Sequence, residues 1–148
     1  MAKRKTSTSS IVAEPAATYV RRRPSPLRRN QQELAEEVVK PMPKQRVRQY
    51  MTSGVLDAGL LMVVLNIGGT QLRRRLAGQG TMAPAEAERV TLAEELVERG
   101  TRTFGDREVF MAWLGDESPG LGGKRPMDLI RSITGMHLVM DELLAQVQ

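Results

Sequence analysis

The chain has 148 residues, no cysteine and one histidine, His137. That length suits one compact domain with unstructured ends, and the composition excludes disulfides and thiolate chemistry and leaves too few imidazoles for a histidine-built metal site or triad. The net charge of +5 is unevenly placed: residues 1–30 carry eight Lys or Arg against Glu14, whereas the other 118 residues hold 14 basic and 16 acidic groups.

The first segment, 1–30, mixes Ser, Thr, Pro and Arg with few large apolar groups. It cannot bury enough surface to offset its ordering entropy, so it reads as a disordered basic arm. "YVRRRPSPLRR" is either a solvated arm or a sequence-independent contact to nucleic-acid phosphates. The opening "MAKRKTSTSS" lacks the apolar core of a secretory signal. No apolar run reaches the roughly 20 residues needed to cross a bilayer. A cytoplasmic protein with no membrane association is expected.

From Asn30 onward the pattern turns helical. "NQQELAEEVVK" offers Asn30 as a cap and a stripe through Leu34 and Val38, stopped before Pro41. In "LLMVVLNIGGTQLRRRLAGQ", Asn66 suits a left-handed turn between two short helices, with Ile67, Leu72 and Leu76 facing inward. Gly69, Thr70, Gln71, Arg73 and Arg74 then point outward as a candidate DNA-reading face, arginine being the side chain best suited to bidentate guanine contacts. The competing reading is an ordinary helical hairpin with a solvated basic face.

"VTLAEELVERG" puts Val90, Ala93, Leu96 and Val97 on one stripe, which Gly100 ends or interrupts, Phe104 continues and Gly105 stops. Asp106 is placed to cap a helix burying Val109, Phe110, Trp113 and Leu114. "GLGGKRP" is not a phosphate loop, since Ser118 and Arg125 occupy the positions where that motif needs a glycine and a hydroxyl. Pro126 suits the first turn of a helix carrying Leu129, Ile130 and Ile133. After Gly135 a last amphipathic helix is expected, with Met136, Val139, Met140, Leu143, Leu144 and Val147 along one side. Strand patterning is absent, so the expected class is all-α. The expected divisions are the arm 1–30, a helix-turn-helix region 31–104 and a C-terminal domain 105–148.

"LNIGGTQLRRRLAGQGTMAPAEAERV" resembles the helix-turn-helix of Xre-type antitoxins, and "FGDREVFMAWLGDESPGLGGKRPMDLIRSITGMHLVMDELLAQV" is similar to the toxin-binding domain of the Xre, MbcA and ParS antitoxins. That domain's pattern is matched by Trp113-Leu114, Leu121-Gly122-Gly123-Lys124, Pro126, Leu129-Ile130, Gly135 and Leu143. The resemblance spans about residues 54–148. It implies a non-enzymatic antitoxin without a cofactor, which blocks the active site of a RES-domain, NAD-consuming or ADP-ribosylating toxin and represses its own operon by binding operator DNA. The toxin-binding residues would be Trp113, Leu121, Gly122, Gly123, Lys124, Arg125, Met136, Met140, Leu143, Val147 and Gln148, with methionines adapting to an irregular groove. Two departures stand out. Gly68 replaces the usual capping serine, and Met62 replaces a small alanine within the very apolar "LLMVVL". An exposed apolar helix there would favour self-association, so a homodimer or higher oligomer is expected. A solitary transcriptional regulator whose C-terminal domain only oligomerises is the alternative.

Overall fold

The computed structural model describes residues 41–147. Both the expected arm, 1–30, and the stripe through Leu34 and Val38 lie outside them, as does Gln148. The described residues are all-helical, as the patterning predicts, with seven α-helices, one 3-10 turn and two isolated bridges.

Helix α1 (Lys44–Ser53) follows Pro43 and ends at Gly54 in the left-handed region, φ 79°. Asp57 then caps α2 (Ala58–Leu65), its Oδ1 accepting from the Leu60 amide at 2.7 Å. Asn66, at φ 53° and ψ 44°, is the left-handed corner that leads into α3 (Gly69–Leu76). It is also the sole non-glycine residue at positive φ among those described. The C-terminal carbonyls of α3 are met by cations from α1: Arg48 donates to the Leu76 carbonyl and, at 2.8 Å, to that of Gly78, and Lys44 reaches the Ala77 carbonyl at 3.3 Å. Positive charge is favourable at that end of a helix.

The longest element, α4 (Pro84–Phe104), starts with proline in its first turn and stops at Gly105, φ 75°. It runs straight through Gly100. That glycine is buried where a Cβ would overlap the Phe110 ring, so it is a packing notch and not a break. Asp106 caps α5 (Arg107–Gly115) by accepting from the amides of Glu108 and Val109, as expected. Phe110 and Leu114 of α5 are buried and Trp113 is half-buried, but Val109 is 52% exposed. Seating Phe110 over Gly100 turns α5 so that Val109 faces away from the core.

A 3-10 turn (Pro119–Leu121) leads to the one-turn helix α6 (Pro126–Leu129), and then to α7 (Ile133–Gln146). The expected single helix through Ile133 is broken here, because Ser132 caps a new helix by accepting from the Gly135 amide at 3.0 Å. Gly135 therefore lies inside the first turn of α7 and not before it. A Cβ there would overlap the Leu129 carbonyl, which makes glycine obligatory for the tight α6–α7 corner.

All seven helices surround one apolar cluster, with α4 packed against α7, α5 and α2. Helix α2 sits deep: Leu60, Leu61, Val64 and Leu65 are buried, and Met62 and Val63 are partly covered. Its continuous apolar run is thus explained by burial within this chain. The exposed helix inferred for self-association is corrected. A polar tie joins α1 to α4, where Arg46 Nε donates to the Tyr50 hydroxyl at 2.6 Å and that hydroxyl donates to Glu94 Oε2 at 2.6 Å. Burial, followed by the bond to Glu94, pushes the Tyr50 pKa up to about 12.

Two outcomes follow. Gly135→Ala should lower stability by about 3 kcal/mol or more, measured by urea unfolding, because the clash is with backbone and cannot be relieved by a rotamer. The folded state also holds the Tyr50 proton more tightly than the unfolded chain does. The stabilisation it provides is therefore complete below pH 10 and is lost as pH rises toward about 12. Thermal melts over that window should fall more steeply for the native protein than for Tyr50→Phe.

Candidate functional site

Two surfaces carry the residues singled out by the sequence. The first is the α2–corner–α3 face. Gly69, Thr70, Gln71, Arg73 and Arg74 are all exposed, while Leu72 and Leu76 are buried and Ile67 is half-buried. One helical face therefore presents two arginines that form no ion pair among the described residues. Arg75, the next residue, differs because it pairs with Glu86 and so ties α3 to the start of α4. Gly68 provides no side-chain cap for α3, which weakens the helix by a few tenths of a kcal/mol relative to serine. Between α1, α2 and α3 lies a groove of about 430 Å3, floored by Met51, Met62 and Leu72 and edged by Arg48 and Arg73.

The second surface is the loop of residues 116–125 with the adjoining side of α7. Ser118 anchors it: the residue is buried, its amide donates to the Lys124 carbonyl at 3.0 Å, and its own carbonyl accepts from Leu121 and from Gly123 at 2.9 Å. Gly122 and Gly123, at φ 68° and 78°, supply two consecutive left-handed steps that no L side chain adopts readily. The loop leans on α7 where Gly120 lies against the Glu142 carboxylate. The result is a short, internally bonded projection with Gly122, Gly123, Lys124 and Arg125 at its exposed tip. Lys124 has no ion-pair partner among the described residues. Arg125 makes a bidentate pair with Asp128, at 3.0 and 3.2 Å, and so stiffens the first turn of α6.

The other residues expected on this surface divide by burial. Trp113 is half-buried against the core, 5.4 Å from the Phe104 ring and 6.1 Å from that of Phe110. Leu121 is half-buried against the core. Met136, Met140 and Leu143 are buried, which corrects their placement in a partner's groove: they are the side chains by which α7 packs on α4 and closes the core. Val147 is exposed, and Gln148 lies outside the described residues. The apolar side chains that α7 does present are Leu138 and Leu144, half exposed, with Val147 at the end. Sequence reasoning put Leu144 in the core stripe and overlooked Leu138. Numbering α7 from Met136, Val139, Met140 and Leu143 leaves both outside the buried arc, a signal that 3.6-residue periodicity contains.

A contact between the two surfaces also escaped the sequence reading. The Arg131 carbonyl, in the corner between α6 and α7, accepts from Asn66 Nδ2 at 2.7 Å and from Arg89 at 2.7 Å, and Arg89 donates to the Val64 carbonyl as well, at 3.0 Å.

Core and surface positions on α7 should respond differently to truncation. Leu143→Ala should cost about 2–5 kcal/mol in chemical unfolding, whereas Leu138→Ser and Leu144→Ser should stay within about 0.5 kcal/mol of the native value.

The region that contains this projection, residues 99–146, matches the family described as the antitoxin Xre/MbcA/ParS C-terminal toxin-binding domain. Among curated proteins, no relative matches the chain. The match begins inside α4, so the matched region takes its first turn from the helix that also carries α2.

Proposed function

We propose that this protein is an antitoxin whose C-terminal region binds and inactivates a partner toxin, and whose α2–α3 face binds DNA. The observation that carries the reading is the family match over residues 99–146, coinciding with a preformed, exposed loop at 116–125. A toxin-binding domain implies a toxin as the partner, and the surface is suited to holding one. A loop cross-bonded to itself loses little entropy on docking, Lys124 offers an exposed cation, and Leu138, four residues before Glu142 on α7, offers apolar area on the side against which the loop leans. The partner we propose is a RES-domain enzyme that consumes NAD or transfers ADP-ribose from it, inhibited by obstruction of its NAD pocket. The chain itself acts by binding and has no catalytic role in this scheme.

The DNA-binding part rests on exposure and charge. Arg73 and Arg74, with Gly69, Thr70 and Gln71, line the outer side of α3, where a recognition helix meets base edges and phosphates. Binding to the operator of its own operon would make the antitoxin its own repressor.

Co-expression with the protein encoded beside it, followed by purification and an NAD-consumption assay, tests the reading. A stable complex with suppressed NAD consumption is expected. In that complex, Lys124→Glu combined with Leu138→Ser should weaken inhibition at least tenfold, while Arg73→Ala with Arg74→Ala leaves it intact. The arginine pair should instead reduce binding to the upstream DNA and make the salt slope shallower by about one for each phosphate no longer neutralised. A partner that consumes NAD equally fast in the presence of the native chain would overturn the proposal.

A further inference from the structure

We infer that the Arg131 carbonyl is a coupling point through which the toxin-facing loop and the recognition helix α3 constrain each other's position. The inference rests on the two-surface reading above and adds a route by which one surface regulates the other.

The acceptor is held from two directions. Asn66 Nδ2 reaches it from the α2–α3 corner, and the Arg89 guanidinium reaches it from α4 while also satisfying the Val64 carbonyl in the last turn of α2. Both donors therefore touch the end of α2, where the direction of α3 is set. Asn66 contributes its side chain as well as its backbone. Glycine adopts φ 53° and ψ 44° at lower cost, so what asparagine adds at this corner is the amide that bonds to Arg131. The carbonyl belongs to the backbone, which makes the identity of residue 131 immaterial to the contact.

On the other side, the corner that holds this carbonyl is stiff. Ile130 is fully buried, Ser132 caps α7, and Gly135 sits so close to the Leu129 carbonyl that the corner has no slack. Pro126, also buried, joins the loop directly to α6. A partner that shifts the loop or the first turn of α7 must carry the Arg131 carbonyl with it. That movement either strains or releases the bonds to Asn66 and Arg89. A macromolecule that fixes α3 acts on the same bonds from the opposite end. Because coupling between binding free energies is reciprocal, each occupant alters the affinity for the other by the same factor.

Hydrogen exchange on the full chain, with neither toxin nor DNA present, tests the coupling separately from the identity of either partner. Ser132→Ala loosens the first turn of α7, and the amides of Asn66 and Ile67, bonded to the Val63 and Met62 carbonyls, report on the distant corner. In the otherwise native chain this substitution should speed exchange at residues 66 and 67 at least threefold. In the background Asn66→Gly with Arg89→Met it should leave their exchange within experimental error of that background alone. Asn66→Gly by itself serves as the background if the pair compromises folding, and should remove at least half of the effect. Arg131→Ala should preserve the full effect. Equal acceleration with and without the two donors, or none in either case, would overturn the inference while leaving the antitoxin reading to its own assay.

Discussion

Helix α4 is buried on two sides at once, and the placement of both candidate surfaces depends on this. Along one stripe Val90, Ala93, Leu96 and Val97 enter the common core and Gly100 opens a notch that the Phe110 ring fills, while Thr91 is buried on the opposite side. Phe110 is the largest fully buried side chain, and burying such a ring stabilises the fold by about 2–3 kcal/mol. Because α2 and α7 both pack on this helix, the direction of α3 and the height of the 116–125 loop are measured from one column. A substitution that tilted α4 would disturb both surfaces together.

Local chemistry in the chain was the part most legible in advance. Asn66 as a left-handed corner, Asp106 as a cap, Gly105 as a stop, Gly122-Gly123 as a turn and Pro126 as a helix start each depend on one residue's backbone preference or hydrogen-bonding reach. Such preferences act over a few residues and can be read there. The apolar stripes were equally visible, but what covers them was not. Periodicity says that Met136, Met140 and Leu143 share a face, and gives no information on whether that face meets α4 or another protein. Burial answers that question only once the chain is folded. The same ambiguity applied to "LLMVVL", whose uniform apolarity is that of a helix surrounded on nearly every side.

Other misreadings came from elements too short to have a period. Helix α6 has four residues, fewer than two turns, so nothing in its sequence separates it from α7. The Ser132 cap and the Gly135 close approach create that boundary. Contacts such as Asn66 to Arg131, 65 positions apart, use polar side chains that look solvated in any linear reading. Local rules fail here because the partner is supplied by topology.

The cluster of three aromatic rings formed by Phe104, Phe110 and Trp113 has one further consequence. The chain contains a single tryptophan, and Trp113 is half-buried against the rings of Phe104 and Phe110, with its carbonyl accepting from Asp116 where the chain leaves α5 for the loop. An indole in that setting emits light whose colour depends on how much water reaches it. The protein therefore carries its own optical reporter beside the surface assigned to its partner, and docking can be followed on the unlabelled molecule.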